Sequence, residues 1–461
     1  MELRLPTFCS CVAVLILAFV CLSLSFVCAE GFDSLLELPR SGLNRTRPRS
    51  KRVLFVADFG AKGDGLHDDT EAFENAWKLA CSFSSGERIV IVIPAGNTSL
   101  IRPIDFSGPC KSKVTLVISG TIVAPKDPDA WKGLNHRKWL YFHGVNRLTV
   151  EGGGTINGMG WEWWARSCKI NPANPCRHAP TAVTFHECKN LEVKNLMIVN
   201  SQQMHISFSS CLRVVTSQLK VIAPAASPNT DGIHITASQS VEVKNCIVRT
   251  VKLYEVPSLR PNKGDDCISI VSNSSRVQIE NIVCGPGHGI SIGSLGKFNS
   301  CSQIQDVTVD GAFISNTENG VRIKTWQGGS GFATNIMFRN LLMENVSNPI
   351  IIDQYYCDSS KPCANQTSAV KIENISFEHI KGTSATEEAI VFACSDYTPC
   401  EGLYLEDIHL VSHSGGITSS FCWNAYGSSM GLVYPPACFT EGLIPQYVSS
   451  NYRALRESIL I

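Results

Sequence analysis

The chain has 461 residues, enough for one large domain or two ordinary ones. Its 40 basic and 40 acidic side chains balance, so the molecule as a whole neither attracts nor repels an anion, and an anionic ligand would need a local group of basic residues. No nucleic-acid motif is present, and no glycine-rich phosphate loop precedes a helix, so we expect no nucleic-acid partner.

Residues 1–29 are predicted to be a secretory signal peptide. Arg4 supplies the positive start, and an apolar stretch runs from Val12 to Val27. A membrane anchor is the alternative, but the run is short for a span and no stop-transfer charge cluster follows it. Residues 30–52 are rich in arginine and are predicted to be a basic leader or processing segment. We therefore expect a secreted, extracellular protein that has no membrane contact after signal removal.

Cysteine usage also indicates an oxidising compartment. Four of the 20 cysteines lie in the predicted signal peptide, which leaves an even number, 16, for the mature chain. None of them has the paired spacing plus histidines of a zinc site. Closely spaced pairs predict short local disulfides at Cys357/Cys363, Cys394/Cys400 and Cys422/Cys438. Sequons for N-glycosylation fit a secreted glycoprotein and occur at Asn44, Asn97, Asn273, Asn345, Asn365 and Asn374.

One helix and then a long series of short strands are predicted along the chain. The helix extends from Asp69 to Cys81, with capping carboxylates at its start and an apolar stripe along one face. Beyond it, short runs alternate inward apolar and outward polar residues, as half-buried strands do. The recurring runs include Asn190–Leu196, Ser240–Cys246, Arg276–Ile282 and, in a second set, Ile206–Phe208, Ile233–Ile235, Ile268–Ile270, Ile290–Ile292 and Val321–Ile323.

Repeats of roughly 20 to 35 residues without helical content predict a solenoid. Strands that recur at the same place in successive turns stack as parallel sheets. We therefore predict an all-β fold, a single-domain right-handed parallel β-helix over residues 53–461, with the short N-terminal helix as its cap. A β-sandwich is the alternative, but it would join its strands by Asn-Gly hairpin turns, whereas these runs end in irregular corners.

Ionisable residues are concentrated in four segments, each beside a strand of the second set. Equivalent positions in successive coils lie about 4.8 Å apart, so segments distant in sequence come together. Three carboxyl groups at close range raise at least one pKa, which leaves a general acid beside ionised neighbours, as glycoside hydrolysis requires. Taken singly, each segment is equally explained as a solvated turn or strand face. The segments are Asn229-Thr230-Asp231-Gly232, Gly264-Asp265-Asp266-Cys267, Gly287-His288-Gly289 and Arg322-Ile323-Lys324.

With these four motifs, which together are highly specific, the chain resembles the plant polygalacturonases of glycoside hydrolase family 28. The resemblance starts at Asp58–Gly65 and ends near Pro435–Cys438, so it covers nearly the whole mature chain. It implies a parallel β-helix and hydrolysis of α-1,4-galacturonosyl linkages of pectin with inversion and without a metal or other cofactor. We expect endo action by a monomer in the cell wall, with pectin as its partner.

The resemblance also implies catalytic roles for four residues of this chain. Asp265 would donate a proton to the leaving oxygen. Asp231 and Asp266 would share the activation of the attacking water. His288 would support the protonation state of the acid and contact the substrate.

Four further residues are implied in substrate binding. Arg322 and Lys324 are two positions apart, hence on one face of a strand, and would bind the galacturonate carboxylate. Asn229 would bind sugar or orient Asp231. Tyr356 would contact the substrate.

One stretch departs from the family pattern. The family runs almost directly from an Asn-Cys strand into the Gly-Asp-Asp segment, whereas residues 251–263 intervene here between Thr250 and Gly264. A solenoid can extrude such a loop at a corner. Alternatively, the insertion narrows the substrate cleft or displaces Asp265 and Asp266, which follow it directly. It could also be an intron that was translated in the gene model.

Several functional alternatives stay open. Within the family, the chain could be an exo-acting hydrolase or one directed at rhamnogalacturonan or xylogalacturonan. A calcium-dependent pectate lyase is a β-helix with different chemistry, which needs oxygen ligands for calcium and a basic residue for proton abstraction. The insertion could also have left a catalytically silent pectin-binding wall protein.

Overall fold

The computed structural model describes residues 51–224, 227–250, 264–359 and 362–441. The predicted signal peptide, nearly all of the predicted leader and the insertion 251–263 lie outside the described residues. The first strand begins at Lys51, so the last two residues of the predicted leader belong to the β-helix. Within the described ranges, no helix is long and apolar enough to cross a membrane.

The described chain consists mainly of short strands. In chain order they begin with β1 (Lys51–Phe55), β2 (Asp64–Asp68), β3 (Arg88–Ile93), β4 (Thr98–Leu100), β5 (Ile104–Ser107), β6 (Lys113–Ile118), β7 (Thr121–Val123), β8 (Lys138–His143), β9 (Leu148–Glu151), β10 (Thr155–Asn157), β11 (Thr181–His186), β12 (Lys189–Val199), β13 (Ile206–Ser209), β14 (Leu212–Ile222) and β15 (Ile233–Thr236). They continue as β16 (Gln239–Lys244), β17 (Ile247–Arg249), β18 (Ile268–Ile270), β19 (Ser274–Cys284), β20 (Ile290–Leu295), β21 (Cys301–Ser315), β22 (Asn319–Thr325), β23 (Ser330–Val346), β24 (Asn348–Asp353), β25 (Lys371–Ser384), β26 (Glu388–Ala393), β27 (Cys400–Ser412), β28 (Ser419–Trp423), β29 (Ala425–Tyr434) and β30 (Thr440–Glu441). The helices are α1 (Thr70–Ser82) and α2 (Trp161–Ala165), with 3₁₀ turns at Val56–Phe59, Pro128–Trp131 and Lys297–Asn299.

These strands pair in parallel to form two long sheets. The smaller sheet has eleven strands in the order β5-β8-β11-β13-β15-β18-β20-β22-β24-β26-β28, and the larger has nineteen. Chain order is kept along the smaller sheet, and strands of the larger sheet lie between its successive members. Each turn of the chain therefore adds one strand to the smaller sheet, which confirms the predicted right-handed parallel β-helix.

The core is a stack of apolar residues that repeat in register from coil to coil. Phe106, Phe142, Phe185 and Phe208 occupy one register position in β5, β8, β11 and β13. Their ring centroids follow one another at 4.7, 4.9 and 5.7 Å. Because every coil supplies an apolar residue at the same place, the interior is one continuous cluster.

Helix α1 packs against the first coils, as expected of an N-terminal cap. It is displaced by one residue from the predicted Asp69–Cys81. Asp69 takes the N-cap position, but its carboxylate accepts a hydrogen bond from the backbone N–H of Lys62 at 2.6 Å instead of capping the helix. Trp77 of α1 lies 5.1 Å from Phe106 between ring centroids, so the helix shields the end of the phenylalanine stack.

Asparagine residues make several of the corners at which one strand bends into the next. Asn195, Asn245, Asn281 and Asn340 recur at one corner and have φ between 49° and 57°, the left-handed region that asparagine tolerates better than most residues. Gly311 takes the same place in β21 with φ of 75°. These corners are therefore formed by residues that tolerate the left-handed backbone.

Six disulfides are present in the described part of the chain. The three predicted local bridges, Cys357–Cys363, Cys394–Cys400 and Cys422–Cys438, are confirmed. The other bridges, which were not predicted, are Cys81–Cys110, Cys168–Cys176 and Cys267–Cys284. Four cysteines of the described residues have free thiols, at Cys188, Cys211, Cys246 and Cys301.

Candidate active site

The middle residues of neighbouring strands in the eleven-stranded sheet form an outward-facing column. His234, Ser269, Ser291 and Arg322 are in register in β15, β18, β20 and β22. The four predicted segments flank these strands or form part of them, so coil stacking brings the segments together. The column is polar at these four consecutive coils, and it is the frame on which the carboxyl groups are arranged.

Asp265 is the carboxyl group whose surroundings favour the protonated form. Its side chain is 15% exposed. Burial, followed by the nearby charge of Asp231, raises the pKa of Asp265, while a hydrogen bond from His288 opposes this shift. A buried carboxyl group with a raised pKa is suited to donate a proton as a general acid.

Asp266 is held in the opposite state. Burial by itself would raise the pKa of Asp266, but the charges of Lys324 and Arg322 lower it to about 2. Lys324 Nζ donates to Asp266 Oδ2 at 2.7 Å, and Arg322 Nη2 donates to Oδ1 at 2.9 Å. Ser291 Oγ adds a third hydrogen bond, to Oδ1, at 2.7 Å. Two adjacent aspartates therefore lie in environments that separate their pKa values.

The two cations thus bind a carboxylate of the protein. Arg322 and Lys324 were expected to bind a substrate carboxylate, and they do share one strand face as predicted. Their side chains, however, are only 10% and 9% exposed and both contact Asp266. Asp266 is a buried charge that requires close partners, so the first role of this pair is to keep that carboxylate ionised.

Asp231 is held by a chain of hydrogen bonds from the outward column. Ser269 Oγ donates to Asp231 Oδ2 at 2.6 Å, and His234 Nδ1 lies 2.8 Å from the same hydroxyl. His234 Nδ1 is also 3.6 Å from Asp231 Oδ2. Within the described ranges, no protein donor contacts Asp231 Oδ1, so this oxygen keeps its capacity to accept a proton from water.

His288 bridges the acid and a second carboxylate. Its Nδ1 lies 3.5 Å from Asp265 Oδ1, and its Nε2 lies 3.4 Å from Glu318 Oε2. Burial opposes protonation of the ring, but the bond to Asp265 and the negative charges of Asp265, Asp266 and Glu318 raise the pKa of His288. An imidazolium donates from both nitrogens, which matches a carboxylate on each side.

Asn229 and Tyr356 lie at the edge of this group. Asn229 Nδ2 is 3.4 Å from Asp265 Oδ2, so it contacts Asp265, while its predicted roles of binding sugar or orienting Asp231 stay predictions. The left-handed backbone of Asn229, with φ of 57°, turns its amide towards the acid. The ring centroid of Tyr356 lies 5.4 Å from Lys324 Nζ. Tyr356 is therefore a wall of the site beside the ion-paired group.

Sequence reasoning missed four residues that support the carboxyl groups. Ser269, Ser291 and His234 occupy the middle of the short isoleucine strands, and Glu318 follows the corner before β22. A signal was available for the first three. When the five short strands are aligned by their apolar residues, their middle positions fall in one column beside the acids.

The flanks of the insertion meet next to the acid. Thr250 Oγ1 donates to the backbone oxygen of Asp265 at 2.7 Å, although residues 251–263 separate Thr250 from Gly264. Gly287 packs against the same pair, because a Cβ there would lie 2.3 Å from Thr250 Oγ1. Strand β18 keeps its register with β15 and β20. Asp265 and Asp266 are therefore not displaced from the sheet, while the extruded loop itself stays a prediction.

The fold and the site together define a class of protein. A parallel β-helix carries three carboxyl groups on one outward face, and one of them is favoured in the protonated form beside an ionised neighbour. This is the division between acid and base on which glycoside hydrolases depend. The class is a β-helical glycosidase.

Comparison with known proteins gives the family. Residues 81–430 match the model of glycosyl hydrolases family 28. A probable polygalacturonase of Arabidopsis thaliana is 61% identical over 432 residues, which cover 93% of this chain and 94% of the relative. A polygalacturonase of Persea americana is 52% identical over 398 residues, which cover 86% and 82%. The chain therefore belongs to glycosyl hydrolase family 28.

A solved structure agrees at the level of the fold. The exopolygalacturonase of Thermotoga maritima superposes with a TM-score of 0.66 at 18% identity, over 83% of this chain and 91% of that chain. At this identity the similarity supports the β-helical architecture alone.

Proposed function

We propose that this protein hydrolyses α-1,4-galacturonosyl linkages of pectin with inversion at the anomeric carbon. The observation that carries the proposal is that the pKa values of two adjacent carboxyl groups are shifted in opposite directions. Asp265 is favoured in its protonated form, while Asp266 is ionised between Lys324 and Arg322. The names of the plant relatives, which are polygalacturonases, support the choice of substrate.

In the proposed reaction Asp265 transfers its proton to the glycosidic oxygen as the bond to the leaving sugar breaks. Asp231 removes a proton from the water that attacks the anomeric carbon, because its Oδ1 is the carboxylate oxygen left to accept one. Asp266 assists Asp231 in this step through its negative charge, which stabilises the positive charge that develops on the sugar ring as the water attacks. His288 holds Asp265 in place. Exchange of both protons with solvent restores the site.

Endo action is supported by the position of the site along the solenoid. Strand β18, which follows the catalytic pair directly, is the sixth of the eleven strands, with five on either side. A polymer that lies along the outward face can therefore extend past the acids in both directions. A site at one end of the solenoid would instead favour action at a chain terminus.

The same proposal covers location and assembly. Six disulfides within the described ranges are consistent with an oxidising compartment. Together with the predicted signal peptide over residues 1–29, they support secretion to the cell wall. We propose a monomer, since the site draws its residues from consecutive coils of one chain.

The decisive measurement is the release of reducing ends from demethylated polygalacturonate, with product sizing and proton NMR of the first anomer formed. Hydrolysis to mixed oligomers with initial β-anomers is expected from an inverting endo enzyme. Release of single galacturonate units would replace endo by exo action. Unsaturated products that vanish with a calcium chelator would indicate a lyase, and pectin binding without cleavage would indicate a silent wall protein. Either of these last two results contradicts the proposal.

A further inference from the structure

A second group of residues lies near the acids, in the segments that follow β20, β22 and β24. We call it the aromatic shelf and define it as Lys297, Phe298, Trp326 and Tyr356. Trp326 meets Tyr356 edge-on at 5.6 Å between ring centroids. Since Tyr356 in turn lies 5.4 Å from Lys324 Nζ, the shelf is continuous with the catalytic group.

The shelf holds a cation without a protein counter-ion. Lys297 Nζ lies 5.2 Å from the ring centroid of Phe298 and 5.0 Å from that of Trp326. Among the residues that the structure describes, no carboxylate forms an ion pair with Lys297. This differs from Arg322 and Lys324, which are both occupied by Asp266. Lys297 is therefore a cation of the described residues that no carboxylate pairs with, so its charge is available to a ligand.

Two residues of the shelf, Phe298 and Trp326, line a cavity, and Lys297 lies against these two rings outside the lining. The cavity has a volume of about 320 Å³, within the range of roughly 300–1,000 Å³ common for ligand sites. Besides Phe298 and Trp326, its walls include the amide side chains of Asn299, Gln327 and Gln366. The amides of Asn299 and Gln366 can donate to and accept from sugar hydroxyl groups, whereas Gln327 donates to the backbone oxygen of Gln354 and accepts from the backbone N–H of Gln366.

Phe298 has an unfavourable backbone conformation that is not offset by burial of its side chain. Its side chain is 89% exposed, and its backbone has φ of 59°, a left-handed conformation that bulky residues rarely adopt. An exposed apolar ring on a strained backbone is typical of a recognition position. The ring is thus available to the apolar C–H face of a sugar.

We infer that the aromatic shelf is a further uronate-binding subsite, in which Lys297 binds the carboxylate of one galacturonosyl unit and Phe298 and Trp326 contact its ring. The inference rests on the proposed function for the identity of the substrate. It adds a second contact with a substrate carboxylate to the one that the resemblance implies for Arg322 and Lys324. It also makes a free acid, and not its methyl ester, the preferred group at this position.

The test compares Lys297→Met, Lys297→Arg and the control Lys220→Met, which removes an exposed lysine from β14 in the larger sheet. On polygalacturonate, Lys297→Met should raise KM by about five- to tenfold while kcat changes by less than about twofold. Lys297→Arg should restore most of the affinity, and Lys220→Met should leave both constants unchanged. An unchanged KM in Lys297→Met, or an equal rise in the control, would overturn the inference.

Two further measurements separate this inference from the proposed function. Calorimetry measures the binding of oligogalacturonate to Asp265→Asn and to the double variant Asp265→Asn/Lys297→Met. The double variant should bind about five- to tenfold more weakly, even if neither protein cleaves pectin. Fully methyl-esterified oligomers should bind both proteins equally, because they carry no carboxylate for Lys297. Equal binding of the free-acid oligomer to both would contradict the subsite, whereas wild-type hydrolysis alone decides the proposed function. Phe298→Ala should weaken binding of both the free-acid and the esterified oligomer.

Discussion

The inward and outward columns of the eleven-stranded sheet differ although they come from the same strands. The inward residues are apolar and fully buried, as in Ile206, Ile233, Ile268, Ile290 and Val321. The outward residues at the intervening positions change along the axis, as in Ser207, His234, Ser269, Ser291, Arg322 and Ile351. One column repeats a single property, whereas the other changes from coil to coil.

This difference shows how a solenoid separates folding from chemistry. Any one inward residue contributes a small part of a long apolar stack, so substitutions there have graded effects. Beside Asp231 and Asp266 the outward column supplies hydrogen-bond donors and the cation Arg322. Substitutions there should change activity strongly, and they should change stability only where a charge is buried.

The largest effect is expected from Lys324→Met, because Lys324 faces outward but is buried against Asp266. Removing Lys324 leaves Asp266 with Arg322 and Ser291 as its remaining partners, so the free energy of unfolding should fall by up to about 3–5 kcal/mol, the cost of breaking a buried ion pair. Activity should also fall, since the ionised form of Asp266 loses one of its two counter-ions. Urea unfolding and reducing-end release measure the two effects. Lys220→Met should stay within about 0.5 kcal/mol of the wild type.

The pH dependence of unfolding checks the same ion pair. The pKa of Asp266 falls from 3.8 to about 2 on folding, so the unfolded chain binds the extra proton between these values. The resulting stabilisation is present above about pH 4 and is lost as the pH falls through about 2. This part of the pH dependence should shrink in Lys324→Met. An identical acid-unfolding profile would contradict the assigned pairing.

The next effect is on activity alone. Asp265→Asn removes the proton donor and should reduce kcat/KM by at least about 10²-fold, which corresponds to roughly 3 kcal/mol in the activation barrier. Stability should not fall, because the amide needs no ionisation in this buried place. Asp105→Asn in β5, an exposed acid on the same sheet, is the matched control. Comparable activity of the two variants would remove Asp265 from the mechanism.

A change in the inward column should have the reverse signature. Ile206→Val deletes one buried methylene and should lower the free energy of unfolding by about 0.5–1.5 kcal/mol. The activity of the folded enzyme should stay the same, because the residue points away from the cleft. Chemical unfolding with parallel kinetics tests this. Altered kcat with unchanged stability would show that the two columns are not independent.

The smallest effect is expected from Glu318→Gln, which removes one of the two carboxylates beside His288. The pKa of His288 should fall, because one of the charges that raises it is lost. The imidazolium then deprotonates at lower pH, so the alkaline limb of kcat/KM should move to lower pH. As Glu318 is 48% exposed, the maximal rate should change by less than about fivefold. NMR titration of His288 checks the shift, and an unchanged titration would exclude the contact.

Much of the fold could be predicted because its signals are local. The alternating runs placed the strands, and helix α1 is displaced by only one residue from its predicted bounds. The disulfides Cys357–Cys363, Cys394–Cys400 and Cys422–Cys438 were predicted because their cysteines are close in the chain, although the equally local Cys168–Cys176 was not. Cys267–Cys284 was missed since it joins the starts and ends of different strands. Its pairing depends on which coil positions stack, and spacing does not contain that information.

The sequence by itself determined the class of fold and the family motifs, and it predicted which residues are the acids, because each is encoded in short segments. Only the tertiary structure decided what those acids contact. Arg322 and Lys324 carry the motif of a substrate-binding pair, yet stacking of β20 and β22 places them on Asp266. The reason is that charge pairing depends on the distance between side chains of different coils. Because the coils of this chain differ in length, the sequence does not show which residues of neighbouring coils come into contact.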